Sequence, residues 1–146
     1  MPRAGGCIYE WQKLDAKRQP FAIAMKDGKP YALAGLWERW KDRSAGTELL
    51  TFTIITTDPN ETVQPLHDRM PVIIPERDYD RWLKPAPERP PIDLLRPFDT
   101  GKVTAWRVDK AVGDVKNDRP ELIEPASAAP NRLTIVPQKL QVCFGP

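Results

Sequence analysis

Seventeen prolines in 146 residues set the first limit on what this chain can build. Proline has no backbone N–H, and its ring collides with the preceding helical turn, so a chain this rich in it cannot carry long helices. Short strands, turns and extended loops remain. The expectation is a loop-rich, strand-dominated fold with few helices. The length fits one domain and is enough to bury a core without disulfide or metal staples. Hydrophobic residues make up 40% of the chain, including five Trp, four Phe and three Tyr.

Residues 8–12 read as a strand, with Ile8, Glu10 and Gln12 on one face and Tyr9 and Trp11 on the other. The polar stretch 13–19 reads as a connection, and 21–25 as an apolar strand. An Asp27-Gly28 turn then predicts a hairpin returning through 31–34 and continuing to Trp40. A charged turn at 41–46 leads to a β-branched strand at 49–57. Asp58 as N-cap and Pro59 at the first helical position predict a short helix, closed by Pro65.

Residues 71–74 form an apolar strand, and 75–83 a helix with Tyr79, Trp82 and Leu83 at helical spacing. After a proline-rich loop at 85–91, helical turns are expected at 92–95 and 120–124 and a last strand at 103–108, with 111–118 irregular. Trp37, Trp40, Trp82 and Trp106 read as core residues, and Glu38 with Arg39 as a solvated pair. From Ala126 the composition shifts to Ala, Ser and Pro before a strand-like Leu133-Thr134-Ile135-Val136. The organisation expected is a domain at 1–125 and an appendage at 126–146.

Several function classes drop out. The net charge of +2 is too small to argue for nucleic-acid binding by itself. One histidine and the distant Cys7 and Cys143 make no metal-ligand set, and no cofactor is expected. There is no Gly-rich phosphate loop, and Ser44 and Ser127 lack any nucleophile context. No signal peptide or membrane-spanning run is seen, so the default is a soluble cytoplasmic protein with reduced thiols.

The chemistry-bearing residues cluster in two short motifs. His67, the sole histidine, is the natural group for proton transfer near neutral pH, although a lone histidine is more often a hydrogen-bonded structural residue. Glu10 lies between Tyr9 and Trp11, which can supply the apolar surroundings that raise a carboxyl pKa; otherwise it is a solvent-facing strand residue. Arg69 suits a phosphate contact and Trp11 stacking against a base. Their alternatives are an ion pair with Asp68 and a core position.

Five motifs, Tyr9-Glu10-Trp11, Ala32-Leu33-Ala34-Gly35-Leu36-Trp37-Glu38, Thr53-Ile54-Ile55-Thr56-Thr57, His67-Asp68-Arg69-Met70-Pro71 and Leu122-Ile123-Glu124-Pro125, stand in an order and spacing that resemble the SOS response-associated peptidase (SRAP) family. The resemblance implies an α+β fold: a curved, barrel-like, mainly antiparallel β-sheet with a few short helices. It also implies binding of single-stranded DNA and a covalent thiazolidine link to abasic sites, made by the amine and thiol of an N-terminal cysteine. The same cysteine serves the family's autoproteolytic peptidase activity, a hydrolase and lyase chemistry tied to DNA damage. Matched motif by motif, Glu10 and His67 take the family's acid–base roles in catalysis, and Trp11, Thr56 and Arg69 its DNA contacts.

The match fails where the family begins Met-Cys-Gly-Arg; here the start is Met1-Pro2. The N-terminal part of the family domain, with the nucleophilic cysteine, is therefore expected to be missing. Cys7 cannot replace it, because its amine is locked in a peptide bond. Three readings follow. The first is an SRAP protein that recognises abasic sites in single-stranded DNA, nucleoid-associated in a bacterium. The second is an inactive truncated remnant, binding DNA or protein weakly through uncovered core surface. The third is an unrelated thiol hydrolase pairing Cys7 with His67.

Overall fold

The fold is described from a computed structural model, over residues 6–14, 17–42, 44, 46–84 and 88–126. The centre of the molecule is an antiparallel sheet of three strands. β2 (Lys17–Met25) lies between β1 (Ile8–Leu14) and β9 (Val103–Arg107). The register runs from Ile8 opposite Ile23 to Leu14 opposite Lys17 on one side, and from Phe21 opposite Arg107 to Met25 opposite Val103 on the other. The stretch expected to be a connection at 13–19 is thus mostly strand. Gln19 can enter a buried strand because its amide is satisfied: Nε2 donates to the carbonyls of Pro20 and Val108, and Oε1 accepts from Arg107.

The Asp27-Gly28 turn forms as expected. Gly28 adopts φ 71° and donates its N–H to the carbonyl of Met25 at 3.0 Å, a conformation that favours glycine. The chain does not return along β2, however. β3 (Ala32–Leu33) pairs instead with β8 (Ile73–Ile74). Both edges of β2 are already occupied, so a hairpin partner has nowhere to bond.

Three strand runs are each interrupted by one residue. Ala34 separates β3 from β4 (Gly35–Lys41), Ile55 separates β5 (Glu48–Ile54) from β6 (Thr56–Thr57), and Val72 separates β7 (Met70–Pro71) from β8. At the interruption each run changes partner, so that β4 pairs with β5 and β6 with β7. The three interrupting residues bond to one another in a ring: Ala34 N–H to Val72 O at 2.8 Å, Val72 N–H to Ile55 O at 2.9 Å, and Ile55 N–H to Ala34 O at 2.9 Å. The strand expected at 49–57 is therefore real but bent at Ile55.

Residues 61–66 form tight turns rather than the expected helix. Asn60, not Asp58, caps them: its Oδ1 accepts from the N–H groups of Thr62 and Val63, and its Nδ2 donates to Phe98 O at 2.9 Å. Pro65, with no N–H to give, prevents the helical ladder from running on. The helix expected at 75–83 appears as a 3₁₀ turn (Glu76–Asp78) followed by α1 (Tyr79–Leu83). Further 3₁₀ turns at Ile92–Leu94 and Pro120–Ile123 match expectation. Another at Lys110–Gly113, capped by Asp109, falls in the stretch read as irregular. Of the appendage expected from Ala126, residues 127–146 lie outside the described part.

The main core joins Phe21, Ile23 and Val103 of the central sheet to Val63, Leu66, Met70 and Ile73. A second cluster, Ala34, Val72, Ile74 and Leu94, carries Tyr79 and Trp82 against it. Trp106 is half-buried and donates its indole N–H to Ile123 O at 2.7 Å. Two of the four tryptophans read as core are not: Trp37 is 72% exposed and Trp40 53%. Both sit on the β4–β5 hairpin, whose faces are uncovered among the described residues. Arg39 does not pair with Glu38, since neighbours in a strand point to opposite faces. It reaches Glu48 across the hairpin, at 3.7 Å. The result is an α+β fold of mainly antiparallel strands, as expected; among the described residues the ladders stay open and do not close a barrel.

Candidate functional site

Two segments build the site. β1 carries Tyr9, Glu10 and Trp11, and the turns at 61–66 lead directly into His67, Asp68 and Arg69. Gln12 ties them together: its Nε2 donates to Pro65 O at 2.9 Å. Between them opens a cleft of about 540 Å³, whose walls include Trp11, Lys13, Pro59, Gln64 and His67. Trp11 is 37% exposed there, at the cleft and not in the core.

Arg69 and Thr56 meet directly. The guanidinium donates from Nε to Thr56 Oγ1 at 3.2 Å, and from Nη2 to Oγ1 at 2.9 Å and to the carbonyl at 2.8 Å. Pairing of β6 with β7 sets this up, because it lays Thr57 opposite Met70, the neighbour of Arg69. The alternative of an Asp68–Arg69 ion pair is not realised. Asp68 turns instead to His67, with Oδ1 3.0 Å from Nδ1. The same Nδ1 also accepts the Arg69 backbone N–H at 3.1 Å. These two contacts are alternatives: the neutral ring with its proton on Nε2 takes the Arg69 N–H, and a ring protonated at Nδ1 turns to Asp68.

Glu10 is half-buried on β1, opposite Phe21. It shares a face with Gln12, not with Trp11, and is not among the cleft walls. No hydrogen bond or ion pair joins it to His67 among the described residues. The structure thus brings Trp11 to His67 and Arg69 to Thr56, and leaves Glu10 beside this group. Lys13 and Gln12 were not singled out from sequence. Strand alternation from Trp11 points to Lys13 two residues on, and nothing local points to Gln12, whose partner is 53 residues away.

Cys7 is half-buried, and burial pushes its thiol pKa up, with a hydrogen bond from Tyr9 opposing this in part. Such a thiol is a poor nucleophile. Tyr9 and Tyr31 are both pushed up to about 12, chiefly by burial and further by the nearby Cys7. Tyr31 also donates its hydroxyl to Ile23 O at 3.2 Å. A phenol whose folded pKa lies above the unfolded value of 10.0 contributes stability below pH 10 that is lost as pH rises towards 12. Titration by tyrosinate absorbance should therefore show these two residues ionising late, together with alkaline unfolding; ionisation of all three tyrosines near pH 10 in a folded protein would contradict it. Among the described residues no three His, Cys, Asp or Glu groups come together as a metal site.

Residues 6–115 match the SOS response associated peptidase (SRAP) family. The abasic site processing protein YoqW of Bacillus subtilis is 43% identical over 120 residues, covering 80% of this chain and 53% of its own length. YedK of Escherichia coli, another abasic site processing protein, is 30% identical over 120 residues, with the same coverage of 80% and 53%. A crystal structure of a protein from Bacteroides thetaiotaomicron superposes with a TM-score of 0.72 at 32% identity, over 82% of this chain and 53% of that one. The chain spans about half the length of these relatives. With the family matched over most of its residues and with relatives this similar, the chain belongs to the SRAP family.

Proposed function

We propose that this chain handles abasic sites in DNA as part of a DNA damage response, with single-stranded DNA as the form bound and a bacterial cytoplasm, at the nucleoid, as the place. The observation that carries the reading is the cleft shared by Trp11 and His67, with the Arg69–Thr56 pair held next to His67 by the Arg69 N–H. Trp11 offers an aromatic face to a nucleobase or to the gap a missing base leaves. Arg69 and the Thr56 hydroxyl offer donors for a backbone phosphate.

An abasic sugar exists as a closed hemiacetal and an open aldehyde. With its Nδ1–H held by Asp68, protonated His67 gives its Nε2 proton to the ring oxygen as the bond from that oxygen to the anomeric carbon breaks; water takes the proton of the anomeric hydroxyl, and the neutral imidazole left behind is reprotonated from solvent. Glu10 is the carboxylate proposed to move protons if a primary amine from outside the described residues condenses with the aldehyde, forming the C=N bond and releasing water. The attacking amine and thiol do not come from Cys7, whose amine is acylated and whose thiol is held protonated. Peptidase, hydrolase or lyase chemistry is accordingly assigned to no described residue.

The test is anisotropy with a single-stranded oligonucleotide carrying a tetrahydrofuran abasic analogue, against the intact strand. Preferential binding of the abasic strand is expected. Trp11→Ala should weaken it about tenfold or more, and Arg69→Ala should lower the salt slope by about one. Equal binding to both strands, indifferent to Trp11→Ala, would sink the reading. With a true aldehyde-bearing strand the 146-residue chain should give no heat-stable adduct through Cys7, so Cys7→Ala should change nothing. A second reading, binding to protein alone, is favoured by the exposed β4–β5 hairpin; it predicts no affinity for either oligonucleotide.

A further inference from the structure

One carbonyl in the wall of the Trp11–His67 cleft is denied its local partner. The turns at 61–66 bond in helical fashion as far as they can: Gln64 N–H goes to Asn60 O, and His67 N–H to Val63 O. The helical donor for Pro65 O would be the N–H of Arg69. That N–H goes to His67 Nδ1 instead. The Pro65 carbonyl is taken by Gln12 Nε2 at 2.9 Å, from 53 residues away. Among the described residues no other hydrogen bond joins β1 to residues 59–69. On the other side of the cleft Trp11 is fixed. Its backbone is in register with Pro20 of β2. A methyl group placed on Gly113 would stand 4.0 Å from its Nε1, so the 3₁₀ turn at Lys110–Gly113 backs the indole.

We propose that Gln12 is the positioning residue that sets the gap between the Trp11 indole and the His67 imidazole, and through that gap the preference for a nucleotide without its base. The selectivity rests on the abasic-site reading of the cleft. With Trp11 backed and Pro65 tied to β1, the space between them is fixed before any strand arrives. A sugar without a base can enter it as it stands. An intact nucleotide must seat its base as well, and can do so only by pushing residues 65–67 outward against the Gln12 bond. Breaking the bond makes that displacement cheap, so the intact strand gains on the abasic one. Only the N–H of the Gln12 amide is used, so any side chain that brings a donor to Pro65 O can do the same work.

The test compares the 146-residue chain with Gln12→Met, which keeps the side-chain length and removes the donor, and Gln12→Lys, which brings a donor back one bond further out. Two quantities are read. Anisotropy gives the ratio of affinities for the tetrahydrofuran strand and the intact strand. Proton NMR gives the imidazole signals of the sole histidine, with no DNA present. Gln12→Met should cut the affinity ratio about three- to tenfold and displace or broaden the His67 signals. Gln12→Lys should restore both; its added charge acts on the two strands alike and cancels in the ratio. A ratio and signals unmoved in Gln12→Met would overturn the proposal, as would an equal loss on both strands or a defect that Gln12→Lys does not repair. If the unsubstituted chain binds both strands equally, the selectivity falls with the abasic reading. The His67 signals then decide the positioning alone: displaced in Gln12→Met and restored in Gln12→Lys supports it, unmoved overturns it.

Discussion

Replacing Asn60 with alanine is expected to destabilise the protein by about 2–5 kcal/mol and to weaken abasic-strand binding with it. Asn60 is buried, and its side chain caps the N–H groups of Thr62 and Val63 while donating to Phe98 O. Loss of the cap costs ~1–2 kcal/mol. The Phe98 carbonyl left without its donor costs ~1–3 kcal/mol more. For a domain of this length that is a fall in Tm on the order of 10 °C. The turns that Asn60 holds lead straight into His67, so binding should suffer even where the variant is still folded. Asn60→Ser separates the two contributions: it keeps a capping oxygen and loses the bond to Phe98, and should lose about half as much stability as Asn60→Ala. Urea denaturation of both variants checks this; a midpoint unchanged in Asn60→Ala would contradict it.

Ile23→Ala should cost as much or more, about 2–5 kcal/mol. Ile23 is 1% exposed at the middle of β2, with β1 on one side and β9 on the other. Neither flanking strand can move in to fill the cavity without breaking its register. The instructive comparison is Phe52→Ala. It removes a larger side chain, yet one already in water, and should shift the midpoint by less than about 0.5 kcal/mol. If Ile23→Ala proves as mild as Phe52→Ala, the central sheet is not where the stability lies.

What could be read from sequence was what local pattern controls. Strands at 8–12, 21–25 and 103–108 follow from apolar runs, and the turn at Gly28 from its need for positive φ. The pairing of β3 with β8 could not be read, because it depends on β2 having no free edge. Lys17 and Arg18 look like loop residues and are strand residues because they pair with Leu14 and Lys13 across the β1–β2 ladder. Asp58 and Asn60 are both good caps by type. Burial against Met70 and Phe98, 10 and 38 residues away, decides for Asn60. Trp37 and Trp40 carry a strong signal for burial, but sequence does not say whether the cover belongs to the same stretch of chain. In the site, Trp11, Thr56, His67 and Arg69 were legible as motifs. Their pairing of Arg69 with Thr56, and the position of Glu10 outside the cleft, needed the backbone path.

The ring of bonds through Ala34, Ile55 and Val72 ties together segments from three parts of the chain, and each of its amides is satisfied by a carbonyl from another segment. None of the three can open without the other two losing a partner. Local fraying of a single hairpin therefore cannot expose them, and only concerted unfolding can. In deuterated water these three amides should be among the last to exchange, with nearly equal protection. The hairpin amides beyond Trp37 should exchange far sooner. The boundary between slow and fast signals would then trace where the bent strands stop being one cooperative unit and become an arm.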